Sequence, residues 1–537
     1  MSNEPATSNT LDDIVDALRA PEAFDHPVRE PIDTLQTHTS IIVFAGDDVF
    51  KLKKPLKLAF LDYGTLGRRR HFCEEEVRLN RRLAPSTYLG VASITRDDNG
   101  RLAVNGEGDT IEYAVRMKRL PHDGMLGALL DEDRIDDALI DEIVSILAEF
   151  HRDCATGADV DEHGRPEVVR SEFESNLDEI DELVANGHAG DEISRDVLAH
   201  LRESLLGWHD RHANTFRQRI DDGRVREGHG DLHADNICVT DTGVVIYDCI
   251  EFSMAFRCRD VAGELAFLAM DCDLRGGRTL ARAILERYAD ATSDPDLPDL
   301  ARGFKAHFAA VRAKVALLRA KNDHDDQARH EARLEAMRYI QLAAGYWLPP
   351  ALFVMCGLPG SGKSFTASAI ARPLGADVLR SDVIRKVSAG LEPEDSAREG
   401  LDEGLYTSAR TDATYREMVE RADTLLRDGR TVIIDATCPT PDRRAPFVDV
   451  ARDGDVPYII VHVTSEDDVV LARLRERETN EDSISDAGIS VYEQACERFV
   501  PPDEFDHDHR VTVTSPAKPE RLAGPCIDAL IRRTRRA

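Results

Sequence analysis

Residues 357–364 read Gly-Leu-Pro-Gly-Ser-Gly-Lys-Ser, the pattern G-x-x-x-x-G-K-S. No other stretch constrains the chain as much, because the pattern requires a strand before it and a helix after it. Residues 351–355, Ala-Leu-Phe-Val-Met, form a continuous apolar run, as a strand buried in a parallel sheet requires. A helical pattern follows Ser364. In this setting Gly357, Leu358, Pro359, Gly360, Ser361 and Gly362 form a loop whose backbone N–H groups wrap a phosphate at a helix N-terminus. Lys363 then reaches the β- and γ-phosphates and Ser364 a Mg²⁺ ion. A glycine-rich loop arising by chance would leave the flanking strand and helix unexplained.

Further apolar runs alternate with helical patterns. Residues 376–379 end at Arg380-Ser381-Asp382. Residues 431–434 end at Asp435, the place of a metal-linked carboxylate. Runs at 458–463 and 510–514 complete a doubly wound parallel sheet, which binds ligands at the carboxyl ends of its strands. Asp382 stands at such an end, placed to act as base on an acceptor hydroxyl. It could equally cap the helix 383–387. Arg473 and Arg477 lie at i, i+4 before a polar stretch, 479–490, that reads as a lid. They would neutralise charge on a transferring phosphoryl group, or pair with Glu476 and Glu478 on a surface helix. Asp506-His507-Asp508-His509 reads as a polar loop before the last strand, since no convergent metal-ligand set accompanies it.

The first two-thirds of the chain is organised around residues 229–236, His-Gly-Asp-Leu-His-Ala-Asp-Asn. The spacing H-x-D-x-x-x-x-N is that of a phosphotransferase catalytic loop. There Asp231 would take the acceptor hydroxyl's proton and Asn236 would hold a metal ion. A second carboxylate should end the next strand, and Val-Val-Ile-Tyr at 244–247 runs into Asp248. A polar turn between two strands is the plainer alternative. Upstream, residues 49–53 alternate, so Val49, Lys51 and Lys53 share one face and Phe50 and Leu52 the other. A phosphate-holding cation is expected there. Lys51 is the first candidate and Lys53 the reserve, against a solvated strand face. A helix over 65–83, capped by Thr65, sets Phe72, Glu76, Leu79 and Leu83 on one stripe. Glu76 then needs a partner, which the strand lysine supplies, unless Glu74 or Glu75 turns inward instead. Strands at 88–95, 101–104 and 111–120 follow, and 121–124 breaks the pattern as a hinge. Helices are expected over 136–154, 170–184, 193–217, 259–272, 298–321 and 324–346. Pro349-Pro350 stops the last of these. The domains expected are an arm at 1–30, loosely packed despite an amphipathic piece at 11–18, a first domain at 31–348 and a second at 349–537.

The chain has 537 residues and a net charge of −32. Lysine is scarce, which with the acidic excess suggests a halophilic protein kept soluble by charge. The same charge argues against nucleic-acid and membrane-surface partners. The ten cysteines are dispersed, as for reduced thiols in a cytoplasmic protein. No signal peptide or membrane span is visible.

With these motifs placed, the chain resembles a two-domain family. Its first part is similar to aminoglycoside phosphotransferases, which have a protein-kinase-like α+β fold with a small β-lobe and a helical lobe. Its second part is similar to small α/β P-loop kinases of the polynucleotide-kinase, zeta-toxin and gluconate-kinase group. The resemblance implies an ATP- and Mg²⁺-dependent kinase acting on hydroxyl groups of small metabolites. It implies Lys51 and Glu76 as the phosphate-holding pair, Asp231 as base, and Asn236 and Asp248 on the metal. Asp260 falls at an acidic position that usually braces the catalytic loop. In the second part it implies 357–364, Asp382, Asp435 and the arginines Arg473 and Arg477. One departure stands out: His38-Thr39-Ser40 occupies the place of a glycine-rich loop. Two alternatives follow, a nucleotide-binding sensor in the first domain or a polynucleotide 5′-kinase in the second.

Overall fold

The computed structural model of the chain describes residues 8–28, 31–58, 61–190, 192–392, 407–479 and 489–536. Contacts divide the chain into two compact units. The first joins Met1–Arg170 to Arg211–Phe304, and the second joins Ser171–Asp210 to Lys305–Ala537. The units do not part at the proline pair. Helix Asp326–Gly345 lies before it yet packs on the C-terminal helix Pro519–Arg536. Arg338 Nε donates to Glu520 Oε1 at 2.7 Å and Gln341 Nε2 to the Glu520 carbonyl at 2.8 Å. The prolines end a helix without ending its packing.

In the first unit six antiparallel strands form one sheet. Their order is Asp33–Gln36, Ser40–Ala45, Asp48–Lys53, Asp109–Lys118, Tyr88–Arg96, Leu102–Val104. The alternation at 49–53 gives the sheet two apolar faces. Val49 packs with Cys73, Val77 and Val115 under helix Leu66–Asn80. Phe50 and Leu52 pack the other way, against Leu11, Ile14, Val15 and Leu18. The expected loose arm is therefore part of the core. A sheet apolar on both faces needs a cover on each, and helix Ser8–Ala17 supplies the second. Thr65 caps Leu66–Asn80 by accepting from the Arg68 N–H. Buried Arg69 ties that helix to the sheet through Glu112, with Nε 2.8 Å from Oε1.

After the 3₁₀ turn His122–Gly124 this unit is mainly helical. A two-stranded hairpin, Ile237–Thr240 with Gly243–Ile246, sets residues 229–236 before it and Asp248 just after it. Helix Val261–Arg275 ends in a left-handed cap at Gly276, and a second helix, Arg278–Thr292, follows. This second helix was not among those expected, although Leu280, Ala281, Ile284, Leu285 and Tyr288 give it a regular buried stripe.

The second unit holds the expected parallel sheet of five strands. Their order is Asp377–Arg380, Val432–Asp435, Leu352–Cys356, Tyr458–Thr464, Arg510–Thr514. Leu352–Cys356 is fully buried at the centre and opens into the 357–362 loop and helix Lys363–Leu374. Register pairs Arg380 with Asp435 at the carboxyl edge. Among the described residues no helix is long and apolar enough to cross a membrane.

Two candidate nucleotide sites

In the first unit the sheet, a helix and a loop bring opposite charges together. Lys51 Nζ lies 2.9 Å from Glu76 Oε1 and 2.5 Å from Asp248 Oδ1. Lys53 Nζ donates to Glu76 Oε2 at 2.6 Å and also pairs with Glu251, which accepts from the Tyr63 hydroxyl. Glu76 is fully buried, so the inward register is the one that forms. Burial alone would raise its carboxyl, but the two ammonium groups outweigh this and hold it down at about 2. Burial would likewise lower both lysines, yet Asp248 and Glu76 keep Lys51 well above its ordinary range, and Glu251 and Glu76 do the same for Lys53. Neither lysine is on a solvated face. Side-chain exposure separates them: Lys51 keeps 14% and Lys53 1%. Each lysine lies between two carboxylates, and Lys51 is the one that keeps some exposure.

Asn80 fixes the chain beside Asp248. Its Oδ1 accepts from the Cys249 N–H at 2.8 Å and its Nδ2 donates to the Glu76 carbonyl at 2.9 Å. Asp248 itself has φ +65, a conformation that costs a non-glycine residue about 1–3 kcal/mol and gathers at functional sites.

The 229–236 loop is held from below. The His229 N–H donates to Glu264 Oε1 at 2.7 Å. His229 Nε2 faces the Tyr247 carbonyl at 2.9 Å, and its Nδ1 accepts from the Asp231 N–H at 3.3 Å. These contacts fit the neutral ring protonated on Nε2. Burial pushes the His229 pKa down despite Glu264 and Asp231. Asn236 Nδ2 donates to the Asp231 carbonyl at 3.0 Å, which leaves Oδ1, an acceptor, for a cation. The Ala234 N–H donates to Asp271 at 3.0 Å.

Asp260 does not brace this loop. It caps Val261–Arg275 through the Ala262 N–H and pairs with Arg219 at 2.5 and 2.7 Å. The brace is Glu264. It could have been found by the reasoning that found Glu76, since it is a carboxylate on the stripe of Val261, Leu265 and Leu268. Glu251 and Asp271 carried no comparable signal.

In the second unit Gly357, Gly360 and Gly362 all have positive φ, at +149, +78 and +97. A Cβ on Gly357 would meet the Val463 carbonyl at 2.4 Å, and one on Gly362 would meet Ser515 Oγ at 2.6 Å. Lys363 Nζ donates to the Leu358 carbonyl at 2.8 Å across the loop. Burial lowers its pKa against the pull of Asp435 and Asp382. Burial raises Asp435, although a hydrogen bond from Ser364 and the charge of Lys363 oppose this. Asp382 lies in the first turn of helix Ser381–Ser388 without capping it, and Arg385 Nη1 donates to it at 2.8 Å. Arg473 is not a surface ion pair. Its Nη1 donates to the Gly360 carbonyl at 3.3 Å and its Nη2 to Ser515 Oγ at 3.1 Å. The Arg477 side chain and most of the expected lid lie outside the described residues. Asp506–His509 forms a turn closed on Asp506 Oδ1.

Both places suit a triphosphate with its metal. Ser361 Oγ is buried in the loop without a hydrogen-bond partner among the described residues. Ser364 is already beside Asp435. No cluster of three or more His, Cys, Asp or Glu able to hold a metal occurs among the described residues. A Mg²⁺ ion would therefore use mixed ligands: Asn236 and Asp248 in one unit, Ser364 and Asp435 in the other, with phosphate oxygens completing each set.

Fold and side chains together define two units, one of protein-kinase-like fold and one built on a P-loop. A family model described as an AAA domain matches residues 352–502. The chain belongs to one family with the uncharacterized proteins Rv2004c of Mycobacterium tuberculosis and Mb2027c of Mycobacterium bovis. It is 30% identical to each over 503 residues, 93% of this chain and 96% of each relative. Among solved structures, a gluconokinase from Sinorhizobium meliloti 1021 is 19% identical over 35% of this chain and 95% of its own, with a TM-score of 0.26. The GDP complex of aminoglycoside 2′-phosphotransferase-IIIa is 15% identical over 59% and 94%, with a TM-score of 0.35.

Proposed function

We propose that the chain is an ATP- and Mg²⁺-dependent phosphotransferase with a separate nucleotide site in each unit, acting on hydroxyl groups of small metabolites. Sugars and aminosugars are the first acceptors to test. The observation that carries this reading is the meeting at Lys51 of Glu76 and Asp248, the latter 197 residues away in sequence. A lysine held by a buried and a half-exposed carboxylate beside an H-x-D-x-x-x-x-N loop is placed to serve an anion.

In the first unit Lys51 steadies the phosphates and Glu76 aims it. Asp231 orients the acceptor hydroxyl and takes its proton as the new oxygen–phosphorus bond forms and the bond from the γ-phosphorus to the departing ADP breaks. In the second unit the 357–362 loop and Lys363 hold the phosphates, and Asp382 serves as base. Mg²⁺, when bound, neutralises phosphate charge at both places. ATP consumption over an acceptor panel tests the reading. Asp231→Asn should abolish one activity and Lys363→Ala the other. Full activity of both variants on every acceptor contradicts it.

A second reading has one specific support. The turn between Asp33–Gln36 and Ser40–Ala45 carries no glycine and is closed by Thr37 Oγ1 on Ser40. A first unit that covers phosphates poorly would act as a nucleotide sensor for the second. Nucleotide binding at Lys51 without any transfer distinguishes this case.

A further inference from the structure

The first unit contains a cavity of about 690 Å³ that the proposed reaction does not use. That volume lies in the range of small-molecule sites. It opens between helix Asp137–Asp153, helix Arg278–Thr292 and the chain at 223–226. Four arginines line it, Arg152, Arg224, Arg226 and Arg287, against two carboxylates, Asp141 and Glu149. This balance is unusual in a chain of net charge −32.

Two of these arginines are held mainly by neutral groups. Arg226 Nη1 donates to the carbonyls of Arg152 and Cys154 at 3.4 and 3.2 Å. Its remaining N–H groups have no carboxylate partner among the described residues. Arg224 donates to the carbonyls of Thr292 and Ser293 at 3.1–3.3 Å. Its nearest carboxylate, Asp294 at 3.8 Å, is already bound twice by Arg219. Carbonyls orient both guanidinium groups; Arg226 has no carboxylate to cancel its charge among the described residues, whereas Arg224 also balances Asp294, because Arg219 faces both Asp260 and Asp294. Arg287 and Arg152 differ, because Asp137 and Asp141 neutralise the first and Glu149 and Asp153 the second.

His151 and Tyr288 line the cavity and are 3% and 1% exposed. His151 Nδ1 lies 2.8 Å from the Tyr288 hydroxyl, and its Nε2 is 3.4 Å from Glu264 Oε1 without forming a hydrogen bond. That same oxygen receives the His229 N–H. The cavity wall is thus two side chains away from the 229–236 loop.

The geometry points to a second ligand site here, one that takes a small oxyanion of the phosphate or carboxylate kind on Arg226, with Arg224 beside it. Its occupant acts on the 229–236 loop through His151 and Glu264. The site stands whether or not the chain transfers phosphate; its effect on turnover rests on the catalytic reading of that loop.

Hydrogen exchange on the full nucleotide-free chain tests the site locally, so that anions bound elsewhere do not confuse it. The chain is titrated with inorganic phosphate and, separately, with succinate. At least one probe should slow exchange saturably in peptides covering 223–227 and 228–232. Arg226→Gln should weaken that response about tenfold or more, the loss of one charge-assisted hydrogen bond. Ala148→Trp, which fills the cavity without removing charge, should abolish it even if Arg226→Gln fails to fold. No saturable response at 223–227, or an unchanged affinity in the cavity-filling variant, overturns the site. A response at 223–227 with none at 228–232 overturns the coupling.

Discussion

Glu76→Gln should destabilise the first unit by about 3 kcal/mol while leaving the second unit unchanged. The carboxyl falls from an ordinary 4.5 to about 2 because Lys51 and Lys53 both face it. Each tenfold change in acidity is worth about 1.4 kcal/mol, so this fall corresponds to about 3 kcal/mol. Removing one partner of a buried ion pair typically costs about 3–5 kcal/mol, which agrees. The sign with pH follows from the depressed value. The stabilisation is fully present above pH 4.5, declines as pH falls through that value towards 2, and is gone below it. The difference between wild type and variant should shrink over the same window. The assay must see the first unit alone. Both tryptophans, Trp208 and Trp347, belong to the second, so their fluorescence serves as the internal control. Hydrogen exchange in urea, read on peptides covering 49–53 and 72–80, reports the first. With a slope of about 2 kcal/mol per molar urea, the midpoint should drop by roughly 1.5 M. A drop of less than about 0.5 M at neutral pH, or a difference that persists at pH 2, would refute the electrostatic account.

Other perturbations separate the remaining elements. Gly228→Ala places a Cβ 1.9 Å from Glu264 Oε2, a clash of about 1–3 kcal/mol. It should displace the 229–236 loop and remove first-unit turnover, as a coupled assay would read. Gly362→Ala combines φ +97 with a contact of 2.6 Å to Ser515 Oγ. Nucleotide affinity in the second unit should fall at least tenfold by calorimetry, with the first unit's affinity unchanged. Self-repulsion from a net charge of −32 is screened by salt, so the melting temperature should rise between low and molar KCl. A flat response would remove the case for halophilic adaptation.

The central parts of both units were legible because each rests on a local pattern. The buried run at 352–356 and the glycines after it demand one setting, and the sheet supplies it. Alternation at 49–53 gave the two faces correctly, and a carboxylate on an apolar stripe gave Glu76 its inward position. What stayed hidden depended on distant chain. The amphipathic piece at 11–18 was visible, but nothing local to it shows that its apolar face packs on Phe50 and Leu52. Lys53 and Glu251 lie 198 residues apart, and nothing local shows that one lysine is sealed while its neighbour keeps access. Asp260 occupied the expected place, but Arg219 claims it and Glu264 does the bracing. The parting of the two units fell away from the prolines because helix-to-helix contact, not chain punctuation, decides where a unit ends.

Counting magnesium-nucleotide sites tests the central claim most directly. Titration of the intact chain with Mg²⁺ and a non-hydrolysable ATP analogue should show two sites per chain. One should be lost in Asp248→Asn and the other in Lys363→Ala. A single site, abolished by Lys363→Ala and untouched by Asp248→Asn, would contradict it.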